Sequence, residues 1–165
     1  MRKIDTIAIH CTDSPDTAFN IGVKDVRKWH TDPAPKGRGW SDVGYHYLVR
    51  RDGEIVQMVP DDRKCYHAGN ANSRSIGIEH EARINPWAVR KLADGSVKPP
   101  PYPVGEFPEA MLRASAVVSA VLCRKFRIPV DRAHIIGHAE VPGASHTDPG
   151  AAFPWERYIE LVRVA

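Results

Sequence analysis

The stretch TIAIHCT, Thr6–Thr12, is a short run of apolar and β-branched residues that ends in a polar turn, DSPD. This pattern predicts a buried β-strand. His10 lies near the C-terminal end of the strand, where open α/β sheets commonly place their sites. Cys11 is the next residue along the strand, so it would point to the opposite face from His10. The stretch therefore predicts both a central strand and a candidate site at its end.

Three further patterns follow in the first half of the chain. VKDVRKWH, Val23–His30, has apolar residues at helical spacing and predicts an amphipathic helix. VGYHYLVRRDGEIVQMVP, residues 43–60, places β-rich segments on both sides of Asp52 and Gly53. This predicts a tight hairpin, because both turn positions tolerate positive φ. SIGIEHEA, Ser75–Ala82, predicts another strand.

The second half of the chain also contains predicted helices and a predicted strand, separated by loops. Residues 83–107 contain VKPPPYPVGEF and are too rich in proline for regular structure, so they are expected to form a long surface loop. Pro108 opens a helix through EAMLRASAVVSAVLCRKF, AHIIGH indicates a short strand, and Pro154 begins a last helix. Since the sequence has no internal repeat or linker, we expect one mixed α/β domain.

Composition narrows the classes of function. With 42% hydrophobic and 26% charged residues, the chain is typical of an ordinary soluble globular protein. A net charge of +3 favours approach to an anionic polymer, either nucleic acid or cell wall. Scattered lysines and arginines make nucleic acid an unexpected partner. No secretory signal or membrane segment is found, so we expect cytoplasmic accumulation. The three cysteines are expected to be reduced and buried.

Three polar residues are candidates for a metal site at one edge of the predicted sheet. His10 and His138 lie at the ends of two strands, and Asp148 lies in a loop bounded by proline and glycine. Catalytic zinc takes three ligands of the histidine or carboxylate type and keeps one position open. These residues supply that set if the strand ends meet, which the sequence alone leaves open.

The strand around Glu79 allows two interpretations. Side chains alternate along a strand, so Glu79 and Glu81 share one face with Gly77. That face is either exposed to solvent, or it turns a carboxylate toward the metal to take a proton from water. Along the hairpin strand, the side chain of Tyr45 points to the opposite face from those of its neighbours. An aromatic residue in a hairpin more often serves packing than catalysis. His67 lies in a loop and fits either a surface position or a contact with substrate.

Five separated segments resemble the type-2 N-acetylmuramoyl-L-alanine amidases, in the order found in that family. They are IAIHCTDS, VKDVRKWH, GWSDVGYHYLVRRDGEIVQ, HAGNANSRSIGIEHE and GHAEVPGASHTDPGAAFPW. The central segments are most similar to short phage amidases, whereas TDPGAAFPW is more similar to bacterial amidases that recycle or remodel cell wall. The resemblance implies one catalytic domain over residues 1–165, with a central mixed β-sheet flanked by helices. It also implies Zn²⁺-dependent cleavage of the amide between N-acetylmuramic acid and L-alanine in peptidoglycan.

The resemblance assigns the zinc ligands by position. His10 and His138 match the first two ligands, and Asp148 matches the third, which is cysteine in some members. Many members carry lysine two residues before the third ligand, where this chain has His146. A histidine could stabilise an oxyanion there only by hydrogen bonding or while protonated. His146 is also the residue that could replace Asp148 as a ligand.

The resemblance also implies roles in the reaction. Glu79 matches a proposed catalytic glutamate, and Tyr45 matches a tyrosine implicated in phage members. His67 matches a histidine of the substrate groove, and His46, beside Tyr45, is expected to contact substrate as well. In the implied mechanism, Glu79 accepts a proton from the attacking water with the assistance of Tyr45, while His146 polarises the carbonyl.

Three functions remain distinct at this point. A phage or prophage endolysin is expected, on account of the phage-like central segments. A cytosolic amidase that recycles soluble muropeptides has the same chemistry, and a binding module of the same fold would recognise peptidoglycan without cutting it. Binding modules of this type typically have incomplete ligand sets, whereas all three ligand positions here hold competent residues. We expect a monomer, and the residues give no information on a regulatory protein partner.

Overall fold

The computed structural model describes residues 2–13, 22–84, 90–91, 97–98 and 104–165. Within these ranges the chain forms seven β-strands and three α-helices. The strands are β1 (Thr6–Cys11), β2 (Tyr47–Val49), β3 (Ile55–Gln57), β4 (Ser75–His80), β5 (Arg90–Lys91), β6 (Val97–Lys98) and β7 (Ile135–Gly137). The helices are α1 (Val23–Thr31), α2 (Glu109–Phe126) and α3 (Trp155–Val164).

The main sheet has five strands in the order β3-β2-β4-β1-β7. β2, β4, β1 and β7 run parallel to their neighbours, and β3 pairs antiparallel with β2 at the edge. This arrangement confirms the predicted mixed sheet. Because parallel strands end at the same edge, His10 of β1 lies beside Glu79 of β4, and Ile9 lies beside Gly137 of β7.

Helices cover both faces of this sheet, as predicted. On one face, Ile7 and Ile9 of β1 join Ile76 and Ile78 of β4 in a core formed with α2 and α3. On the other face, Leu48 of β2 joins a smaller cluster that includes residues of α1 and of the segment after β3. The sequences of strands that are buried on both faces are almost continuously apolar. Polar residues at the carboxyl ends of such strands are therefore exceptions that indicate a site.

The hairpin between β2 and β3 differs from the predicted turn in its backbone. Only Gly53 has positive φ, at 93°, whereas Asp52 does not. The amide of Gly53 donates to the carbonyl of Arg50, and the amide of Arg50 donates to the carbonyl of Glu54. This is a three-residue loop in which a tight turn is followed by a left-handed residue. Glycine is therefore required at one position of the turn rather than being favoured at two.

The stretch from residue 83 to residue 107 contains regular structure, contrary to the prediction. β5 and β6 pair antiparallel, with Arg90 opposite Lys98 and Lys91 opposite Val97. Proline has no amide hydrogen for a strand ladder, and every proline of the stretch lies outside these two pairs. Most of the stretch lies outside the described residues, as does most of the DSPD turn. Among the helices that are described, none is long and apolar enough to cross a membrane.

Candidate active site

An open cleft of about 540 Å³ lies at the carboxyl ends of the parallel strands. Its floor includes Glu79, His138 and Asp148, and its rim includes aromatic residues from α1 and the loop that follows. Clefts at this edge are where open α/β sheets commonly bind ligands, since the loops that leave the strands surround them. The position of the cleft agrees with the site predicted at the end of β1.

Three different elements bring His10, His138 and Asp148 together. His10 is in β1, His138 begins the 3₁₀ turn directly after β7, and Asp148 lies in the following loop. Nδ1 of His10 lies 3.0 Å from Oδ2 of Asp148, and Nδ1 of His138 lies 3.0 Å from Oδ1. The amide of Ala139 donates to the carbonyl of Asp148, which holds the loop against the turn. One ligand atom from each residue lies within 4.8 Å of the others, so the group could hold a metal ion.

The charge states of these residues suit a cation. Burial lowers the pKa of His10, although Asp148 acts in the opposite direction, so the imidazole is neutral at pH 7. Burial tends to raise the pKa of Asp148, but hydrogen bonds with His10 and His138 bring it below its usual range. Metals bind neutral imidazole and ionised carboxylate. His10 and Asp148 therefore have the protonation states that a metal site needs.

Glu79 turns a buried carboxylate into the cleft. It lies opposite His10 in the sheet register, is 2% exposed, and lines the cleft together with Tyr45. Its Oε2 atom is buried without a hydrogen-bond partner among the described residues. Burial, together with the charge of Asp148, raises the pKa of Glu79 well above its usual value. A carboxylate whose pKa is raised in this way holds a transferred proton more readily than an ordinary carboxylate, as a general base must.

The neighbouring carboxylate, Glu81, is buried for a different reason. Its Oε2 accepts from the amide of Arg51 and lies 3.7 Å from Nε of Arg50. Glu79 and Glu81 therefore do not form a solvated face, which was one of the two interpretations of the sequence. Glu79 lines the cleft, whereas Glu81 binds the hairpin that follows β2.

Tyr45 and His146 lie beside different members of the three-residue group, Tyr45 near His10 and His146 near His138. The ring of Tyr45 lies 5.1 Å from that of His10, and burial followed by the charges of Glu79 and Asp148 raises its pKa well above its usual value. Its hydroxyl therefore keeps its hydrogen and acts as a donor. His146 is exposed on the rim of the cleft and stacks on His138 with 5.3 Å between ring centroids. His146 is thus near the ligands but outside the group of three.

His67 lines the cleft but is turned toward His10. Its Nδ1 lies 3.0 Å from Nε2 of His10, and its Nε2 lies 3.2 Å from Oγ of Ser75. Burial and the nearby histidines His10 and His46 lower its pKa well below its usual value, so the ring is neutral. With both nitrogens engaged inside the protein, His67 has little left to offer to a substrate.

His46 does not lie in the cleft, contrary to the prediction that it contacts substrate. It is fully buried, and its Nδ1 accepts from the amide of Gly77. Its Nε2 lies 3.0 Å from the carbonyl of Arg63 and 3.1 Å from the guanidinium of Arg2. Both ring nitrogens are satisfied, and burial lowers the pKa to about 4. Strand alternation places Tyr45 on the cleft and its neighbour His46 inside the protein.

An aromatic wall was not anticipated from the sequence. Trp29, Trp40 and Tyr66 line the cleft, and His30 stacks on Trp40 with ring centroids 4.9 Å apart. The guanidinium of Arg38 lies 5.2 Å above the ring of Trp40. The signal available in the sequence was KGRGW, a cation and a tryptophan in a glycine-rich loop directly after a helix. Aromatic residues exposed together in this way indicate a binding surface.

Comparisons with known proteins identify the family of this chain. The sequence profile of the family described as N-acetylmuramoyl-L-alanine amidase matches residues 1–151. N-acetylmuramoyl-L-alanine amidase A of Achromobacter lyticus is 30% identical over 152 residues, which covers 81% of this chain and 73% of that protein. The endolysin of Escherichia phage T7 is 29% identical over 132 residues, which covers 74% of this chain and 81% of the endolysin.

A solved structure gives the same result for the fold. A selenomethionine derivative of AmpD has a TM-score of 0.69 at 28% identity, covering 97% of this chain and 85% of that one. AmpD of Salmonella typhimurium is named as a 1,6-anhydro-N-acetylmuramyl-L-alanine amidase. The resemblance seen in the five sequence segments is confirmed by the profile match, which spans most of the chain. This chain belongs to the N-acetylmuramoyl-L-alanine amidase family.

Proposed function

We propose that this chain is a zinc-dependent amidase that cuts the bond between N-acetylmuramic acid and L-alanine in peptidoglycan. The observation that carries the proposal is the group of His10, His138 and Asp148, whose ligand atoms lie within 4.8 Å of one another. His138 and Asp148 line an open cleft, and His10 is buried beside them. A buried carboxylate, Glu79, lies beside the group. Family membership supports the choice of bond and substrate.

Zinc is the metal that this donor set fits best. Two imidazoles and one carboxylate are a common set for catalytic zinc, which keeps a further position open. Magnesium and calcium prefer oxygen ligands and would leave the two imidazoles unused. When bound by His10, His138 and Asp148, zinc would supply Lewis-acid activation of water and of the substrate carbonyl.

Glu79 is the proton acceptor in this proposal. Water adds to the lactyl carbonyl carbon, and its proton passes to the free Oε2 of Glu79. The carbon–nitrogen bond then breaks, and Glu79 returns the proton to the nitrogen of L-alanine, which leaves as an amine. Tyr45 lines the cleft with Glu79, and its hydroxyl is proposed to donate a hydrogen bond that holds the carboxylate in place throughout.

His146 is proposed to stabilise the carbonyl oxygen as charge develops on it. Its ring lies at the rim, 5.3 Å from the ring of His138, so it can donate a hydrogen bond into the cleft without binding the metal. Lysine occupies the matching position in many similar amidases and would supply a permanent cation. The histidine supplies a hydrogen-bond donor in place of that cation.

The bond and the metal can be tested together by mass spectrometry. Purified peptidoglycan is digested with the protein, with the protein after zinc chelation, and with the chelated protein reloaded with zinc. We expect stem peptides with a free L-alanine amino group in the first and third samples only. Intact glycan–peptide linkages in the zinc-loaded sample would contradict the proposed function and would indicate a binding module.

The biological setting is proposed to be that of a phage or prophage endolysin, which accumulates in the cytoplasm and reaches the cell wall after release. The T7 endolysin and AmpD resemble this chain to a similar degree, so an amidase that recycles soluble muropeptides is the second candidate. Rates on intact sacculi and on soluble anhydro-muropeptides distinguish the two. An endolysin clears sacculi efficiently, whereas a recycling enzyme prefers the soluble fragments.

A further inference from the structure

A chain of buried hydrogen bonds connects a backbone carbonyl to the ring of His10. Oγ of Ser75 lies 2.7 Å from the carbonyl oxygen of Ala71 and 3.2 Å from Nε2 of His67. Nδ1 of His67 lies 3.0 Å from Nε2 of His10. All four residues are buried. The chain thus ends on the ring nitrogen of His10 that faces away from Asp148.

The hydrogens of this chain can be placed by elimination. The carbonyl of Ala71 has no hydrogen, so the single hydroxyl hydrogen of Ser75 lies in the short contact to it. Oγ of Ser75 can then only accept from His67, which places the hydrogen of that neutral ring on Nε2. Nδ1 of His67 is left as an acceptor for the hydrogen that His10 carries on Nε2 when its Nδ1 is free to bind a metal ion.

The ring of His67 is held so that this order persists. A Cβ atom on Gly77 would lie 2.7 Å from the ring, so the absence of a side chain there lets His67 lie flat against β4. Oδ1 of Asn72 accepts from the amides of both His67 and Ala68, at 2.9 and 2.7 Å. The ring therefore cannot rotate away from Ser75 without disturbing the loop as well as the strand.

We infer that Ser75 is a positioning residue that, through His67, selects the metal-binding tautomer of His10. With its hydrogen on Nε2, His10 presents a bare Nδ1 to the position it shares with Asp148 and His138. In the metal-free protein, the carboxylate of Asp148 favours the opposite tautomer, with the hydrogen on Nδ1. Ser75 counteracts that preference and favours the form that a metal ion needs.

This inference rests on the proposed function only in assuming that His10 binds the metal. Without an acceptor at position 75, the metal-loaded protein would keep a buried N–H of His67 without a partner. The metal-free protein can avoid that cost by adopting the other tautomers. The loss therefore falls on metal binding, where hydrogen-bond partners of metal ligands typically contribute 10–100-fold in affinity.

The first test is the tautomer of His67, read from ¹⁵N-histidine long-range NMR spectra of the zinc-loaded wild-type protein at neutral pH. We expect the pattern of a neutral ring with its hydrogen on Nε2. A hydrogen on Nδ1, or a doubly protonated ring, would overturn the inference. This measurement needs no variant and no substrate, so it remains decisive even if substitutions at position 75 prevent folding.

The second test is the zinc dissociation constant of Ser75→Ala, obtained by competition with a chromophoric chelator. We expect zinc binding to weaken by about tenfold. Ser119→Ala is the matched control, because Ser119 is equally buried but its hydroxyl contacts Tyr158 instead of His67. Equal zinc affinity in the two variants would refute the role of Ser75. If peptidoglycan remains uncut while both tests succeed, the proposed function fails and the tautomer assignment stands.

Discussion

The candidate metal centre is built from two unlike halves. The strand half consists of His10 and Glu79 in the neighbouring strands β1 and β4, and both side chains are buried. The loop half runs from His138 to Asp148 after β7, and His146 within it is exposed. Hydrogen bonds and sheet register fix the first half, whereas the second depends on the path of a loop. We therefore expect substitutions in the strand half to cost more stability for a similar loss of activity.

The largest effects are expected when a ligand is removed from either half. His10→Ala and His138→Ala should each abolish zinc binding and hydrolysis, since two ligands do not hold a catalytic zinc ion. His10→Ala also leaves a hole and unpaired buried groups, so it should lower the metal-free unfolding free energy by about 2–4 kcal/mol. His138→Ala, on a partly exposed turn, should cost about 1 kcal/mol or less.

Three measurements check this pair: zinc content by mass spectrometry, hydrolysis of peptidoglycan, and urea unfolding of the metal-free proteins. If both variants lost the same unfolding free energy, the strand half would not be more important for stability than the loop half. Retention of zinc by either variant would remove that residue from the ligand set.

Glu79→Gln sharpens the comparison within the strand half. It should retain zinc and lower kcat by about 10²–10⁴-fold, because an amide cannot accept the proton from water. Glu81→Gln is the matched control, since Glu81 is a buried carboxylate two residues away that contacts the hairpin backbone instead of the cleft. Steady-state hydrolysis of a soluble muropeptide measures both. Normal turnover by Glu79→Gln would exclude Glu79 as the base.

His146→Ala tests the loop half. If His146 only stabilises the carbonyl oxygen, the variant should lose about tenfold in kcat and keep its affinity for zinc. Asp148→Ala should lose zinc instead. The two variants are compared by zinc titration and by hydrolysis on the same substrate. A large loss of zinc affinity in His146→Ala, with little loss in Asp148→Ala, would exchange the roles of the two residues.

A smaller effect is expected at His46, which is buried and bonded to Gly77 of β4. Its pKa is about 4 in the folded protein, because burial disfavours the charged ring, against about 6.5 in the unfolded chain. The unfolded chain therefore binds more protons between pH 6.5 and 4, and stability falls as pH falls through that range. The full effect is about 3 kcal/mol by pH 4.

His46→Asn isolates this contribution, since an amide oxygen can accept from Gly77 but does not titrate. Urea unfolding at pH 7 and at pH 4 should show a decline in stability that is about 3 kcal/mol steeper in the wild type than in the variant. Equal declines would mean that His46 is already protonated in the folded protein, or that it is exposed.

The strand half was largely predictable from sequence. Alternation along SIGIEHEA placed Ile76 and Ile78 on one face and Glu79 on the other, and the structure has that arrangement. The apolar run before His10 likewise predicted a buried strand with a polar end. Such patterns are local, because the side-chain period of a strand is set by its backbone.

The residues that were missed depend on contacts between distant segments. His46 shares its strand pattern with Tyr45, and only the packing of Gly77 and Arg63 around its ring shows that it is structural. Ser75 looked like an ordinary strand residue, since its contact with His67 depends on a loop path that no periodicity reveals. The aromatic wall is similar, because Trp40 meets the cleft only after the chain reverses past α1.

The most direct test of the whole account is a crystal structure of the zinc-loaded protein, with anomalous diffraction recorded on both sides of the zinc absorption edge. The account predicts a single zinc peak in contact with His10 and His138 through Nδ1 and with a carboxylate oxygen of Asp148. A peak bound by His146 in place of Asp148, or reached by Nε2 of His10, would contradict the assignment of ligands. Absence of any peak at full zinc loading would contradict the metal centre itself.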